Sequence, residues 1–194
     1  CIRFDLSSCA LDSNAGPVLA TIIATCTALI DLNISDNKRA NGVGMLPFGQ
    51  GLTSASLTQL DAGYCMLGED TMEAIGNSLA NESNVLTSLC LSKAGTIGLR
   101  AARGFAKGLA ATRTLRELTL DENVMTPDAA AVFSEGLRQN KTLSKFCLSF
   151  TKNWTDEAGA ALLNGLRTHP SLLELVCLFF LSFSHNFFFF VSLI

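Results

Sequence analysis

Apolar residues return along this chain in a fixed phase. The stretch 115–125, LRELTLDENVM, places leucines at its first, fourth and sixth positions, followed by Asn123 and Met125. Variants of the same pattern, L-x-x-L-x-L-x-x-N/C-x-L, begin at residues 1, 29, 57, 86, 115, 143 and 172, so the steps are 28, 28, 29, 29, 28 and 29 residues. Positions 4 and 6 of each copy share one side of a short strand, because side chains alternate with period two. The pairs are Leu32/Ile34, Leu60/Ala62, Leu89/Leu91, Leu118/Leu120 and Phe146/Leu148. Position 9 holds Cys9, Asn37, Cys65, Ala94, Asn123 and Thr151. A buried Asn, Thr or Cys there bonds the bare backbone of adjacent units. Ala94 offers no such bond and predicts a weak point in the fourth unit.

The second half of each unit changes period. Bulky apolar residues stand four apart at Leu19/Ile23, Phe48/Leu52, Ile75/Leu79, Phe105/Leu109, Phe133/Leu137 and Leu162/Leu166. That spacing puts both members on one helix face. Thr126-Pro127-Asp128 supplies an N-cap, a proline in the first turn and an acid near the positive helix end. Thr155-Asp156-Glu157 does the same without proline. Residues 41–51, NGVGMLPFGQG, hold four glycines and a proline and predict a short or irregular helix in the second unit.

A strand and a helix recurring every 28–29 residues resemble the leucine-rich repeat proteins of the ribonuclease-inhibitor-like class, over about residues 1–177. The resemblance implies an α/β fold: a right-handed solenoid, or horseshoe arc, with a parallel inner β-sheet and outer helices. No unit buries its apolar faces alone, so stacking neighbours makes one continuous core. The predicted organisation is one repeat domain over 1–177, about six full repeats plus the start of a seventh. A hydrophobic, Phe-rich tail, 178–194, falls outside the pattern. Because Cys1 is already in phase with the strand motif, with no Met and no capping element, the chain is expected to be a fragment of a longer repeat protein.

From residue 176 the chain reads VCLFFLSFSHNFFFFVSLI, and the repeat grammar stops. Three readings stand side by side: a membrane anchor with His185 and Asn186 at a cost mid-span, a hydrophobic plug on the last unit, and a translated intron or frame error. Apart from an anchor at 176–194, no membrane association is expected. The seven cysteines are odd in number, form no CxxC and fall at repeat positions. They read as reduced structural thiols of an intracellular, cytoplasmic protein, with Cys9 and Cys65 in the buried position-9 ladder. The N-x-S/T triplets at Asn33, Asn81, Asn140 and Asn153 read as chance.

Charge then singles out one face. Positions 3, 5, 7 and 8 of the strands set the inner, concave side of the sheet. Over six units they carry seven acids (Asp5, Asp31, Asp36, Asp61, Glu117, Asp121, Glu122) and three bases (Arg3, Lys93, Lys145), a balance of −4 in a chain whose total is −3. Acid is therefore concentrated there, and like charges on a concave wall attract a basic partner. Tyr64 and Phe150 are the aromatics of that face, of the type that anchors interfaces. The expected site for a basic protein surface comprises Asp31, Asp36, Asp61, Tyr64, Lys93, Glu117, Asp121, Glu122, Lys145 and Phe150. The plainer alternative is that these polar residues only keep the sheet soluble.

Other chemistry is expected to be absent. Arg100, Arg103 and Lys107, with Arg113 beyond, read as a solvated helix face. A pI near 5.3 without a basic–aromatic cluster argues against nucleic acid. His169 and His185 have no predicted catalytic partner, no phosphate-binding glycine loop is present, and no metal or cofactor is expected. The chain therefore reads as a protein–protein interaction scaffold, not an enzyme. Two alternatives follow from the resemblance: a fragment of a Ran-type GTPase-activating protein working through the loops around Arg39, without that family's acidic tail, or the sensor repeats of an intracellular nucleotide-binding receptor.

Overall fold

The computed structural model of the 194-residue chain describes residues 2–53, 56–149, 155–167 and 169–176. Phe150, Thr151, Asn153 and the tail 178–194 lie outside the described residues. In chain order the elements are β1 (Ile2–Asp5), α1 (Ala15–Thr25), β2 (Leu29–Asn33), a 3-10 turn (Gly42–Met45), α2 (Leu46–Gly51), β3 (Gln59–Asp61), α3 (Glu69–Ser78), β4 (Ser88–Cys90), β5 (Thr96–Ile97), α4 (Leu99–Ala111), β6 (Glu117–Thr119), β7 (Val124–Met125), α5 (Pro127–Gln139), β8 (Lys145–Cys147), α6 (Asp156–Leu166) and β9 (Glu174–Val176). The fold is α/β. Seven strands form one parallel sheet in the order β1-β2-β3-β4-β6-β8-β9, and the two-residue strands β5 and β7 pair separately.

Strand register follows the sequence phase residue by residue. Leu32 pairs with Leu60, Leu60 with Leu89, Leu89 with Leu118, Leu118 with Phe146 and Phe146 with Leu175. These are motif position 4 in successive units, all at most 3% exposed. The pairing extends beyond the formal strands. At position 8 the backbone N–H groups of Asp36, Tyr64, Lys93 and Glu122 donate to the carbonyls of Gly63, Ser92, Asp121 and Ser149 in the next unit, at 2.7–2.9 Å.

The predicted helix pairs are buried in every unit, and each helix packs on its neighbours from α1 to α6. Phe105, Phe133 and Phe146 run through the core with ring centroids 5.9 and 6.0 Å apart, the first pair tilted and the second stacked. Thr126 and Thr155 cap α5 and α6 by accepting the N–H groups of Ala129 and Ala158. The second unit has the irregular helix its composition predicts, a 3-10 turn running into the six-residue α2.

The glycines do more than interrupt helices. A Cβ on Gly136 would meet the backbone of Ala106, and one on Gly165 would meet Ser134, each on the preceding helix. Glycine at these points lets neighbouring helices approach backbone to backbone.

The position-9 ladder forms at Asn37, Cys65 and Asn123. Asn37 Nδ2 donates to Leu6 O (2.9 Å) and Ile34 O (2.7 Å), and its Oδ1 accepts from Leu11 N. Asn123 repeats the scheme toward Leu91 O, Leu120 O and Gly95 N. The Cys65 thiol donates to Ile34 O at 2.9 Å, and burial pushes its pKa up to about 11. Cys9 departs from expectation: it is exposed, and β1 is an edge strand of the described sheet. Among the described residues no helix is long and apolar enough to cross a membrane.

Candidate protein-binding face

The sheet's open side is built by a recurring turn. At position 5 a short polar side chain folds back on position 7. The Asp5, Asn33 and Asp61 Oδ1 atoms each accept the N–H two residues on, at 2.9 Å. At position 8 the chain then adopts a left-handed conformation in five consecutive units, at Ser8, Asp36, Tyr64, Lys93 and Glu122, with φ between 50° and 58°. Such backbone costs on the order of 1 kcal/mol or more for a non-glycine residue. The cross-unit N–H bonds at position 8 supply the compensation.

Ion pairs claim every cation of the face. Arg3 meets Asp31 at 3.6 Å, Lys38 meets Asp36 at 3.4 Å, Lys93 meets Glu122 at 3.3 Å and Lys145 meets Glu174 at 2.9 Å. Glu174 and Lys38 were not among the sequence-derived site residues. Glu174 is position 3 of the seventh unit, so the repeat phase already marked it, whereas Lys38 lies just past the positions used to define the face. Glu117 accepts only the Ser88 hydroxyl at 3.4 Å, and none of the ion pairs among the described residues includes Asp61, Glu117 or Asp121.

Three position-8 side chains from successive units meet. The Tyr64 hydroxyl donates to Glu122 Oε1 at 3.1 Å, across the intervening unit. Lys93 Nζ lies 5.3 Å from the Tyr64 ring centroid, within cation–π range, while pairing with Glu122. The bond to Glu122 raises the Tyr64 pKa. Tyr64 and Glu122 border a concavity of about 240 Å³ that is also lined by Asp61, Cys90, Ser92 and Asp121. Burial raises the pKa of Asp121, although its Oδ1 accepts the Ser149 N–H at 2.6 Å. The Cys90 thiol is likewise raised by burial.

Of the ten expected site residues, Asp61, Tyr64, Lys93, Asp121 and Glu122 thus come together. Asp31 and Asp36 lie on the β2 side, Glu117 and Lys145 on the neighbouring β6 and β8, and Phe150 outside the described residues. Arg39 is exposed in the loop after β2, its backbone bridging Asp12, and does not line the concavity. Arg100 is held by Asp70 and Glu73 of the preceding helix, which removes one cation from the α4 stripe. Among the described residues no group of three or more His, Cys, Asp or Glu is placed to hold a metal ion.

No family model matches this chain, and no curated protein matches it either. Forty-seven chains of solved structures match. One is "Leiomodin-1 Actin-Binding Site 2 (ABS2)", which is 19% identical, with a TM-score of 0.57 over 73% of this chain and 82% of that one. At that identity the likeness is one of fold.

Proposed function

We propose that the chain is a protein–protein interaction scaffold whose acidic open face grips a basic protein surface. We further read the α/β stack as a right-handed solenoid of the ribonuclease-inhibitor-like class, with this face on its inner side. One observation carries the binding role: the cations of the face are all paired within it, while Asp61, Glu117 and Asp121 stand outside every ion pair among the described residues. A face that only needed to be soluble would have no reason to place a carboxyl at half-buried Asp121, where burial disfavours the charged form. The fold neighbour is an actin-binding site, which supports a protein-binding role at a coarse level. The proposal is for a binding protein without catalysis and without a cofactor, working inside the cell.

The test is affinity capture from lysate with the full chain, beside an Asp121→Lys/Glu122→Lys variant, at low and high salt. The expected result is a partner with a basic surface, retained by the unaltered chain at low salt and lost on charge reversal. Capture of the same proteins by both chains, indifferent to salt, would remove the acidic face from consideration. Capture of a small GTPase by both chains would move attention to Arg39, and Arg39→Ala would then be tested for GTP turnover.

A further inference from the structure

The geometry points to a specific anchor within this face: the concavity between Tyr64, Asp61 and Asp121 receives a single lysine or arginine side chain of the partner protein, which displaces Lys93 from the Tyr64 ring. The inference rests on the binding role proposed above and deepens it.

Three features of the concavity and its rim carry the inference. The first is size. A space of about 240 Å³, open to solvent on the sheet side, matches one long side chain rather than a folded element. The second is uncompensated charge. Asp61 and Asp121 each commit Oδ1 to a backbone N–H, of Gly63 and Ser149, and none of the ion pairs among the described residues neutralises either carboxylate. A planar guanidinium or an ammonium supplies the positive charge these carboxylates lack and further hydrogen-bond donors. The third is the resident cation. Lys93 already places its ammonium at the Tyr64 ring and against Glu122, so the chemistry of the bound state is rehearsed within the molecule.

Lys93 is well suited to being displaced. Its side chain is 49% exposed, and its pair with Glu122 is a surface ion pair of small net worth. Holding it costs side-chain entropy that is regained when it swings into solvent. Glu122, anchored by the Tyr64 hydroxyl, stays in position to meet the incoming cation. The partner segment therefore carries one insertable Lys or Arg flanked by further basic residues that face Asp31, Asp36 and Glu117.

Tyr64 is the only tyrosine in the chain, so its ring is a site-specific reporter. The experiment uses the full chain with isotope-labelled tyrosine and a fluorescein-tagged hexa-arginine peptide as probe. Anisotropy gives the affinity and NMR gives the Tyr64 ring resonances. The expected results are a ring shift on peptide addition, a loss of binding in Asp61→Asn/Asp121→Asn, and tighter binding, by about fivefold, in Lys93→Gln. Arg3→Gln removes one positive charge from the same face away from the concavity, so its smaller gain separates displacement from bulk charge. Thermal melts verify that each variant is folded. Equal gains from Lys93→Gln and Arg3→Gln, or binding without any Tyr64 shift, would overturn the anchor and leave the acidic face standing. No binding of the peptide by any variant would overturn both.

Discussion

At the scale of single residues, the polar side chains of this protein divide into those that hold the repeat together and those left over. Asn123 belongs to the first group. It is fully buried and spends both ends of its amide on backbone groups, two carbonyls and the Gly95 N–H, with Leu91 and Gly95 in the neighbouring unit. Asn123→Ala leaves those groups buried and unsatisfied and is expected to cost about 3 kcal/mol, read as a lower midpoint in urea denaturation. A variant with an unchanged midpoint would mean that water replaces the amide. Ala94 shows the same need from the other side: its unit has no position-9 donor, and Gly95 is secured from the next unit through Asn123. The position-5 acids straddle the division, since Asp61 both closes its own turn and faces the concavity.

At the scale of elements, helix-to-helix spacing rests on glycine. Gly136→Ala gains about 1 kcal/mol of helix propensity, yet its Cβ runs into the backbone of Ala106, which cannot rotate away. Overpacking against backbone wins, and a net loss of about 2 kcal/mol is expected, measured as a depressed melting temperature. A rise in melting temperature would show that α4 and α5 have room to part. Much at this scale was legible in the sequence: the strand register, the buried helix pairs, the two threonine caps and the broken helix of the second unit all follow from the phase of the leucines and from local propensities. The close-contact role of glycine was legible but unread. Gly-Leu recurs at 51–52, 108–109, 136–137 and 165–166, locked to the repeat, a signal hidden because helix glycines are ordinarily taken as weakness. The β5–β7 pair and the left-handed position 8 were not legible. Two-residue strands carry no periodicity, and Tyr64, Lys93 and Glu122 are not residues that announce a positive φ. Cys9 is exposed where its motif position predicts burial, because motif position alone does not fix burial at a sheet edge.

At the scale of the whole molecule, stability and binding pull in opposite directions at one carboxylate. Burial raises the folded-state pKa of Asp121 above its ordinary 3.8, so the folded chain holds that proton more tightly than the unfolded chain. Its contribution therefore favours folding at low pH and is lost as pH rises from 3.8 through the raised value. Asp121→Asn keeps the oxygen that accepts the Ser149 N–H and removes the buried charge. It is expected to match or exceed the unaltered chain in melting temperature at neutral pH, to lose that advantage in acid, and to bind its partner more weakly. A lower melting temperature at neutral pH would mean that the charge stabilises the fold.

The candidate site was legible as charge and position but not as geometry: the acids could be counted along the phase, whereas only the folded chain brings Tyr64, Lys93 and Glu122 from three units into one cluster around Asp61 and Asp121. The most direct measurement on the binding role is the partner's Kd across a salt series, for the unaltered chain and for Asp121→Lys/Glu122→Lys. If the acidic face is the site, log Kd rises with log salt for the unaltered chain, and charge reversal weakens binding at low salt and flattens that slope. Equal affinities and parallel slopes for the two chains would place the partner elsewhere on the molecule.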